Sequence, residues 1–541
     1  MKRVPSWRAL AGAAALWLCA TPNPAAAADN AAVDAPAPAT ATGTGKMMFA
    51  VSAGARASVE RTSAFAADSA GTKTPTGPEI ASRVTLSMRV DSRDAMRGMR
   101  AEAVATIDSQ GVWAGGPTLA GDRRPGDVSG AAMLTEAWAG LSVGDDDPDN
   151  HKVGLRFGLQ RSHWGLGLLA NDGRAYLQSD ASSWFALPWV GDRVVRGQVW
   201  TRPWAGTSSP LRGLIVTAAI DRVAMDDVLA PLADPGFVAL HDHDIAWQGI
   251  FAARMMLSKT DSAGVYYVYR DQKLDGGGGI AVHAIDGTFD IGVVDGDAMK
   301  LRLSGEAVGL FGTTTLGPTP EVPEHDIGQF AAVVRAQLAM GKLSALFDLG
   351  YFSGDATADD ASVNNFKADP NFQQGILLFR RIVGWQTARM RSTASDPMVV
   401  GYPNHDLDRL ATGGAVSSAV TLFPRIGGTL GPVEVYGGLL LALSPQPMQD
   451  PYHTRTLGGG AARNAYAKAP DGMLLGTELD GGVRARFGLG GGLLLLAGVE
   501  YGVALPGGAL AGMDAASGGS ATVHGGRVVL TLTGAPTKGG K

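Results

Sequence analysis

The chain has 541 residues, with 46 lysines and arginines against 51 aspartates and glutamates, a formal charge of −5. That balance gives no pull toward nucleic acid or anionic lipid, and a single cysteine excludes a disulfide framework and zinc–thiolate chemistry. Mean hydropathy is slightly positive and 75 residues are glycine, yet amphipathic helical patterns are almost missing, so the composition favours an all-β fold.

The chain opens on Met1-Lys2-Arg3, followed by an apolar run from Ala9 to Ala20, then Pro22, Pro24 and Ala25 to Ala28. A basic start, a short apolar stretch and small residues at Ala26 and Ala28 predict a signal peptide over 1–28, cleaved before Asp29. The run is too short to cross a bilayer as a helix. Cys19 lies inside this leader behind Leu18, which argues against lipidation and leaves the exported chain without a thiol. Residues 29–45, rich in Ala, Pro and Thr, are expected to be a disordered lead-in.

From there, apolar and polar residues alternate in segments of roughly ten, the period of a strand with one greasy and one wet face. Val84, Leu86, Met88 and Val90 interleave with Arg83, Thr85, Ser87 and Arg89; Val153, Leu155, Phe157 and Leu159 interleave with Lys152, Arg156 and Gln160. The pattern predicts strands near 46–58, 79–90, 98–109, 131–143, 151–161, 193–203, 211–222, 244–257, 262–271, 280–291, 299–312, 326–339, 342–353, 414–425, 431–444, 476–488, 490–504 and 521–533. Connections after odd strands are mostly long (59–78, 110–130, 162–192, 223–243, 354–413, 445–475), and those after even strands are short. Sorting of loop length by strand parity is what an outer-membrane barrel of about 18 strands requires, with short periplasmic turns and long outer loops. The expected barrel covers 46–534, with both termini in the periplasm and a C-terminal tail over 535–541.

The polar face carries Arg83, Arg89, Arg100, Glu102, Arg156, Arg196, Arg202, Arg254, Arg302, Glu306, Arg335, Asp348, Glu434, Glu478, Arg484, Arg486, Glu500 and Arg527. Charges facing lipid at mid-depth cost a few kcal/mol each, so these side chains are expected in the lumen. Arg83, Arg89, Arg100, Glu102, Arg156, Arg196, Arg302, Arg335, Glu434, Arg484 and Arg486 are the candidate pore-lining set. Twelve lysines leave 34 arginines among the 46 basic residues, and a planar guanidinium suits carboxylate or phosphate groups. The arginines either brace the wall by pairing with lumenal acids or select a solute as well.

Two connections are too apolar to extend freely into water. Loop 162–192 contains SHWGLGLLANDG and SSWFALPW; loop 354–413 contains GILLFRRIVGWQTARM, Gly375 to Met390. Leu378, Ile382, Trp385 and Arg389 fall at helical spacing, with a further strand as the alternative. Trp164, Arg380, Arg381, Trp385 and Arg389 are the candidate constriction residues.

The stretch GYFSGDATADDASVNNFKADPNF, Gly350 to Phe372, resembles the strand end and long loop of alginate-export-type outer-membrane channels, through Tyr351, Ser353, Gly354 and Asp355, then Phe366, Asp369 and Pro370. Together with SHWGLGLLANDG, it is similar to a family of outer-membrane barrels distantly related to those channels. The resemblance implies an arginine-lined lumen that passes an anionic polysaccharide. The chain departs from such barrels in lacking a terminal aromatic, since it runs on through TLTGAPTKGGK.

Other constellations read as structural. DDDPDN (145–150) fills a predicted turn, Asp355, Asp359 and Asp360 lack the Gly and Glu of an EF-hand, and His241-Asp242-His243-Asp244 reads as a loop-to-strand cap. Ser162-His163 invites a barrel-hydrolase reading, but adjacent residues point apart on an extended chain and no acid partner is evident. No catalytic residue, metal or cofactor is expected. The expected partners are the outer-membrane bilayer, the barrel-assembly machinery and a polar, anionic solute or polysaccharide. The competing reading is a loop-plugged structural or adhesion barrel in an envelope-spanning assembly.

Overall fold

The computed structural model describes residues 47–93, 99–114, 128–144, 152–173, 180–188, 191–226, 244–274, 277–315, 322–357, 360–394, 412–490 and 493–539. The leader, the lead-in, the 145–150 turn, Asp359 and His241 to His243 lie outside the described residues.

The strands are β1 (Met47–Thr62), β2 (Glu79–Arg93), β3 (Met99–Ala114), β4 (Val128–Val143), β5 (Val153–Arg161), β6 (Arg193–Thr201), β7 (Leu214–Met225), β8 (Ile245–Met256), β9 (Ser262–Lys273), β10 (Gly279–Asp295), β11 (Lys300–Thr314), β12 (His325–Met340), β13 (Leu343–Phe352), β14 (Ser362–Val363), β15 (Ala419–Leu430), β16 (Val433–Leu443), β17 (Leu474–Gly490), β18 (Leu493–Pro506) and β19 (Val523–Gly539). β14 is a two-residue strand that pairs with β12 from inside the long connection, while β13 pairs directly with β15. The remaining eighteen strands of the nineteen-stranded sheet form one antiparallel ring, because β1 pairs with β2 on one side and with β19 on the other. Closure removes every free edge, the one way a sheet can satisfy its backbone in lipid.

The ring is inside out relative to a water-soluble protein. Along β7, Ala218, Ile220 and Arg222 face outward, with Ile220 65% exposed, while Thr217, Ala219 and Asp221 face inward and are buried. Along β5, Leu155 and Phe157 are 57% and 70% exposed. Away from strand ends such as Arg222, near the long-loop end of β7, the outer surface is mostly apolar, and the inner surface holds charge. That arrangement is stable only with hydrocarbon outside. The chain is a membrane-spanning barrel of the outer-membrane type.

Short connections (257–261, 296–299, 341–342, 431–432) gather at the end that holds both termini. The parity pattern has exceptions: 274–278 is a short link on the long-loop side, and 202–213 is a longer one on the short-turn side. Several strand boundaries differ from expectation by up to about six residues, and two of them have a visible cause. The strand expected at 414–425 is β15, Ala419–Leu430, because Ala415 and Val416 are buried within the preceding loop, Val416 in its apolar core, and Ser418 turns through φ 44°. The final strand runs to Gly539, so the expected tail from 535 continues the pairing with β1.

A second core lies within the ring and reaches from the long-loop end down to Tyr436, near the 431–432 turn. Phe65, Leu168, Trp184, Phe185, Phe352, Phe366, Leu378, Phe379, Ile382, Trp385, Tyr436 and Tyr466 pack there as one cluster. Residues 375–390 contribute a π-helical turn, Leu378–Val383, that continues into an α-helix, Gly384–Ala394. The segment is therefore helical, and the alternative of a further strand is excluded.

Candidate functional site

The inner wall is a lattice of charge pairs made between neighbouring strands. Arg83 bonds Asp108 (3.0 Å), Arg89 bonds Glu102 (3.2 Å), Arg100 bonds Asp91 (2.5 Å) and touches Glu102 as well. Arg196 grips Asp221 through two hydrogen bonds of 2.8 Å, and Arg302 bonds Asp290 at 2.6 Å. Arg335 forks onto Asp348 (2.8 and 2.9 Å), which Arg425 reaches from the far side. Arg484 contacts Glu434, Arg486 lies 3.6 Å from the same carboxylate, and Arg527 bonds Glu500 at 2.5 Å. Arg156 lies over the Trp138 ring, 3.9 Å from its centroid. Among the candidate residues Arg83, Arg100, Arg196, Glu434 and Arg484 are buried, whereas the side chains of Arg89 and Arg486 are 37% and 39% exposed.

Sequence reading missed most of the acid partners. Asp91, Asp108, Asp221 and Asp290 sit one strand away from their arginines, a relation visible only once the register is known, and Glu60 and Glu79 meet Arg380 and Arg381 of the inserted loop.

Loop 162–192 folds into the ring. Trp164 stacks on Tyr266 (centroids 4.9 Å), and Trp184 stacks on Tyr436 (5.2 Å, planes 5° apart) while donating Nε1–H to Glu434 at 3.3 Å. Next to it Phe185 holds φ 63°, a strained value for an aromatic residue, and donates its N–H to Glu500 at 3.2 Å. Leu166 and Leu168 donate their backbone N–H groups to Glu306.

The described parts of loop 353–418, namely 353–357, 360–394 and 412–418, are tied to the wall and to other loops. Ser353 accepts a bond from Phe330 N–H and donates to the Asn364 carbonyl (2.6 Å), while Asp355 accepts from Asn364 N–H at 2.8 Å. The Ser-Gly-Asp part of the quoted motif thus stitches the loop back onto its own strand end, and Phe366 drops into the core. Further on, Ile376, Leu377 and Leu378 donate to Glu478. Arg381 forks between Glu60 (2.8 Å) and Glu79 (3.0 Å), and Arg380 bonds Glu60 at 3.0 Å. Burial works against the Arg381 charge, yet the two glutamates outweigh it and raise its pKa. Arg389 bonds Asp68 (2.8 Å) in loop 63–78, and Trp385 is buried. Gln386 donates to Tyr466, which donates to the Ala66 carbonyl, both at 2.8 Å. The loops interlock.

The discounted constellations have structural partners. Asp355 and Asp360 cap local turns (Thr357 N–H and Ser362 N–H, each 2.9 Å), and among the described residues no group of three or more His, Cys, Asp or Glu could hold a metal ion. Asp172 stands 3.5 Å from His163 Nδ1, an acid neighbour that sequence reading did not find. Ser162 Oγ, however, accepts from Arg196 at 3.4 Å.

Fold and site together define a membrane-spanning antiparallel β-barrel whose inner wall is charged and into which its own loops fold. No family model matches the chain, and no curated protein matches it. The resemblance of 350–372 to alginate-export-type channels is not shown by these comparisons. Solved structures with a similar course include Acinetobacter baumannii OccAB1 (10% identity, 91% of this chain and 96% of that one, TM-score 0.46). Pseudomonas aeruginosa OpdK with vanillate (11%, 91% and 99%, 0.47) and P. aeruginosa OccK9, also called OpdG (11%, 90% and 98%, 0.48), are others. Likeness at that level carries no inference about residues or solute.

Proposed function

We propose that the protein is an outer-membrane channel for a polar, anionic solute, which passes an arginine-lined lumen constricted by loops 162–192 and 354–413. The observation that carries this reading is the charged inner wall. A barrel needing only rigidity is served by apolar filling, because a buried ion pair rarely outperforms well-packed hydrophobic residues in stability. Here arginine–carboxylate pairs line strand after strand, and at the short-turn end Arg89 and Arg486 keep more than a third of their side-chain surface open. Rings of such charge select ions and charged solutes without covalent chemistry. Arg83, Arg100, Arg156, Arg196, Arg302, Arg335, Glu434 and Arg484 would complete the wall, and Trp164, Arg380, Arg381, Trp385 and Arg389 the constriction.

The test is the reversal potential of the barrel in a planar bilayer under a KCl gradient. Anion preference supports the reading, and a cation preference or no current from correctly folded barrel opposes it. A specific observation favours a second reading: the interlocked apolar core inside the ring, from Phe65 to Tyr466, suits a plugged scaffold in an envelope assembly. For such a scaffold, loss of the plug would abolish assembly and leave conductance unchanged.

A further inference from the structure

The two inserted loops are held by one construction, used twice. Each begins with a glycine in the left-handed region, Gly165 at φ +55° and Gly375 at φ +72°, followed by a short apolar run. The runs are Leu166-Gly167-Leu168 and Ile376-Leu377-Leu378. Their backbone N–H groups converge on a wall glutamate. Glu306 accepts from Leu166 and from Leu168 (3.2 Å), and Glu478 accepts from Ile376, Leu377 and Leu378 (2.5, 2.8 and 2.6 Å). Converging N–H groups of this kind make a concavity for an anion, here filled by the protein's own carboxylate. A Cβ on Gly165 would stand 2.5 Å from Glu306 Oε2, and one on Gly375 would stand 2.8 Å from Glu478. Only glycine allows the approach.

Beside each glutamate stands a second acid. Asp286 lies diagonally across the β10–β11 pair from Glu306, and Asp480 lies two residues along β17 from Glu478, on the same face. Both are buried (0% and 6% exposed); Asp286 faces the Trp164 indole N–H, and no backbone N–H or hydroxyl group bonds Asp480. Each stands instead in side-chain hydrogen-bond contact with its glutamate, so the two like groups of a pair compete for one proton.

We infer that Glu306 and Glu478 are latches holding the two loops in the lumen, and that Asp286 and Asp480 weaken the grip so that each loop can be released. The inference rests on the channel reading and adds the positioning residues of its gate.

Release is read by the labelling rate of a cysteine placed at Ala388, which is fully buried in the inserted helix. The substitution Ala388→Cys is made in a Cys19→Ser background of the full chain, and a maleimide is the probe. Glu478→Gln removes the charge that the N–H groups hold and raises the rate about tenfold. Asp480→Asn keeps the shape, supplies a donor to Glu478 and lowers the rate. Glu306→Gln, acting on the other loop, raises it by less, because the two loops touch through Leu168 and Leu187. Should Glu478→Gln fail to fold, Gly375→Ala, which pushes the turn off the carboxylate, replaces it with the same expectation. Equal rates in all variants would overturn the latch. Conductance separates the two ideas. If deletion of 375–390 opens a current while labelling stays flat, the latch alone fails; if labelling responds and no current appears, the channel alone fails.

Discussion

Arg196 and Asp221 meet through two hydrogen bonds of 2.8 Å, one from Nε and one from Nη2, across the β6–β7 pair with the aspartate wholly buried. The pair is the repeating unit of the inner wall. Removing one partner strands a charge in a low-dielectric site, and such losses cost about 3–5 kcal/mol. Asp221→Ala is expected to lower barrel stability by about that much, read from the midpoint of urea unfolding in detergent or lipid. Loss within 0.5 kcal/mol or so of neutral, the range of an ordinary surface substitution, would show that water already serves Arg196.

Wall glycines form sockets for the inserted loops. A Cβ on Gly427 would stand 2.7 Å from the Trp184 ring, whereas one on Gly481 meets nothing within 4 Å. Gly427→Val is therefore expected to destabilise by about 1–3 kcal/mol and to displace Trp184, with a changed tryptophan emission spectrum. Gly481→Val is expected to be tolerated. Equal tolerance at both positions would remove the socket.

The loop cap carries a pH dependence. His453 Nδ1 lies 3.0 Å from Asp450, which caps the helical turn Pro451–Thr456, and Nε2 faces Ser69 Oγ at 3.3 Å in loop 63–78. The bond to Asp450 raises the His453 pKa above its ordinary 6.5, against the opposing effect of burial. A raised folded-state pKa contributes stability that is complete below the unfolded value and is lost as pH rises through the folded one. Proteolysis at Arg455 should then quicken as pH climbs from below 6.5 toward alkaline values, and Asp450→Asn should flatten the profile. A profile identical in the variant would contradict this.

Exposure ranks the arginines by their effect on selectivity. Arg486→Ala and Arg89→Ala act on side chains 39% and 37% exposed and should lower anion preference with little loss of stability. Arg83→Ala, at a side chain 2% exposed and paired with Asp108, should lower stability first. Reversal potentials and unfolding midpoints on the same preparations check the order.

The ring was legible because each strand writes its own two faces in alternation, and because loop lengths sort by parity. What was not legible lies between strands. Arg196 and Asp221 are 25 positions apart, and only the register of β6 against β7 joins them. Glu478 and Leu377 are 101 positions apart, and no period connects a wall strand to a turn in a distant loop. The start of β15 was misplaced for a related reason: Ala415 and Val416 look like strand but are buried within the loop, Val416 in the plug core. The glycines ahead of the two apolar runs were in plain view at Gly165 and Gly375, yet their role needed the glutamates opposite.

The most direct test of the central claim is single-channel conductance in a planar bilayer, comparing the full chain with a chain lacking 375–390. A channel constricted by its own loops predicts a small current for the full chain and a several-fold larger one after the deletion. No current from either, with both shown to be folded and membrane-inserted, would contradict the account.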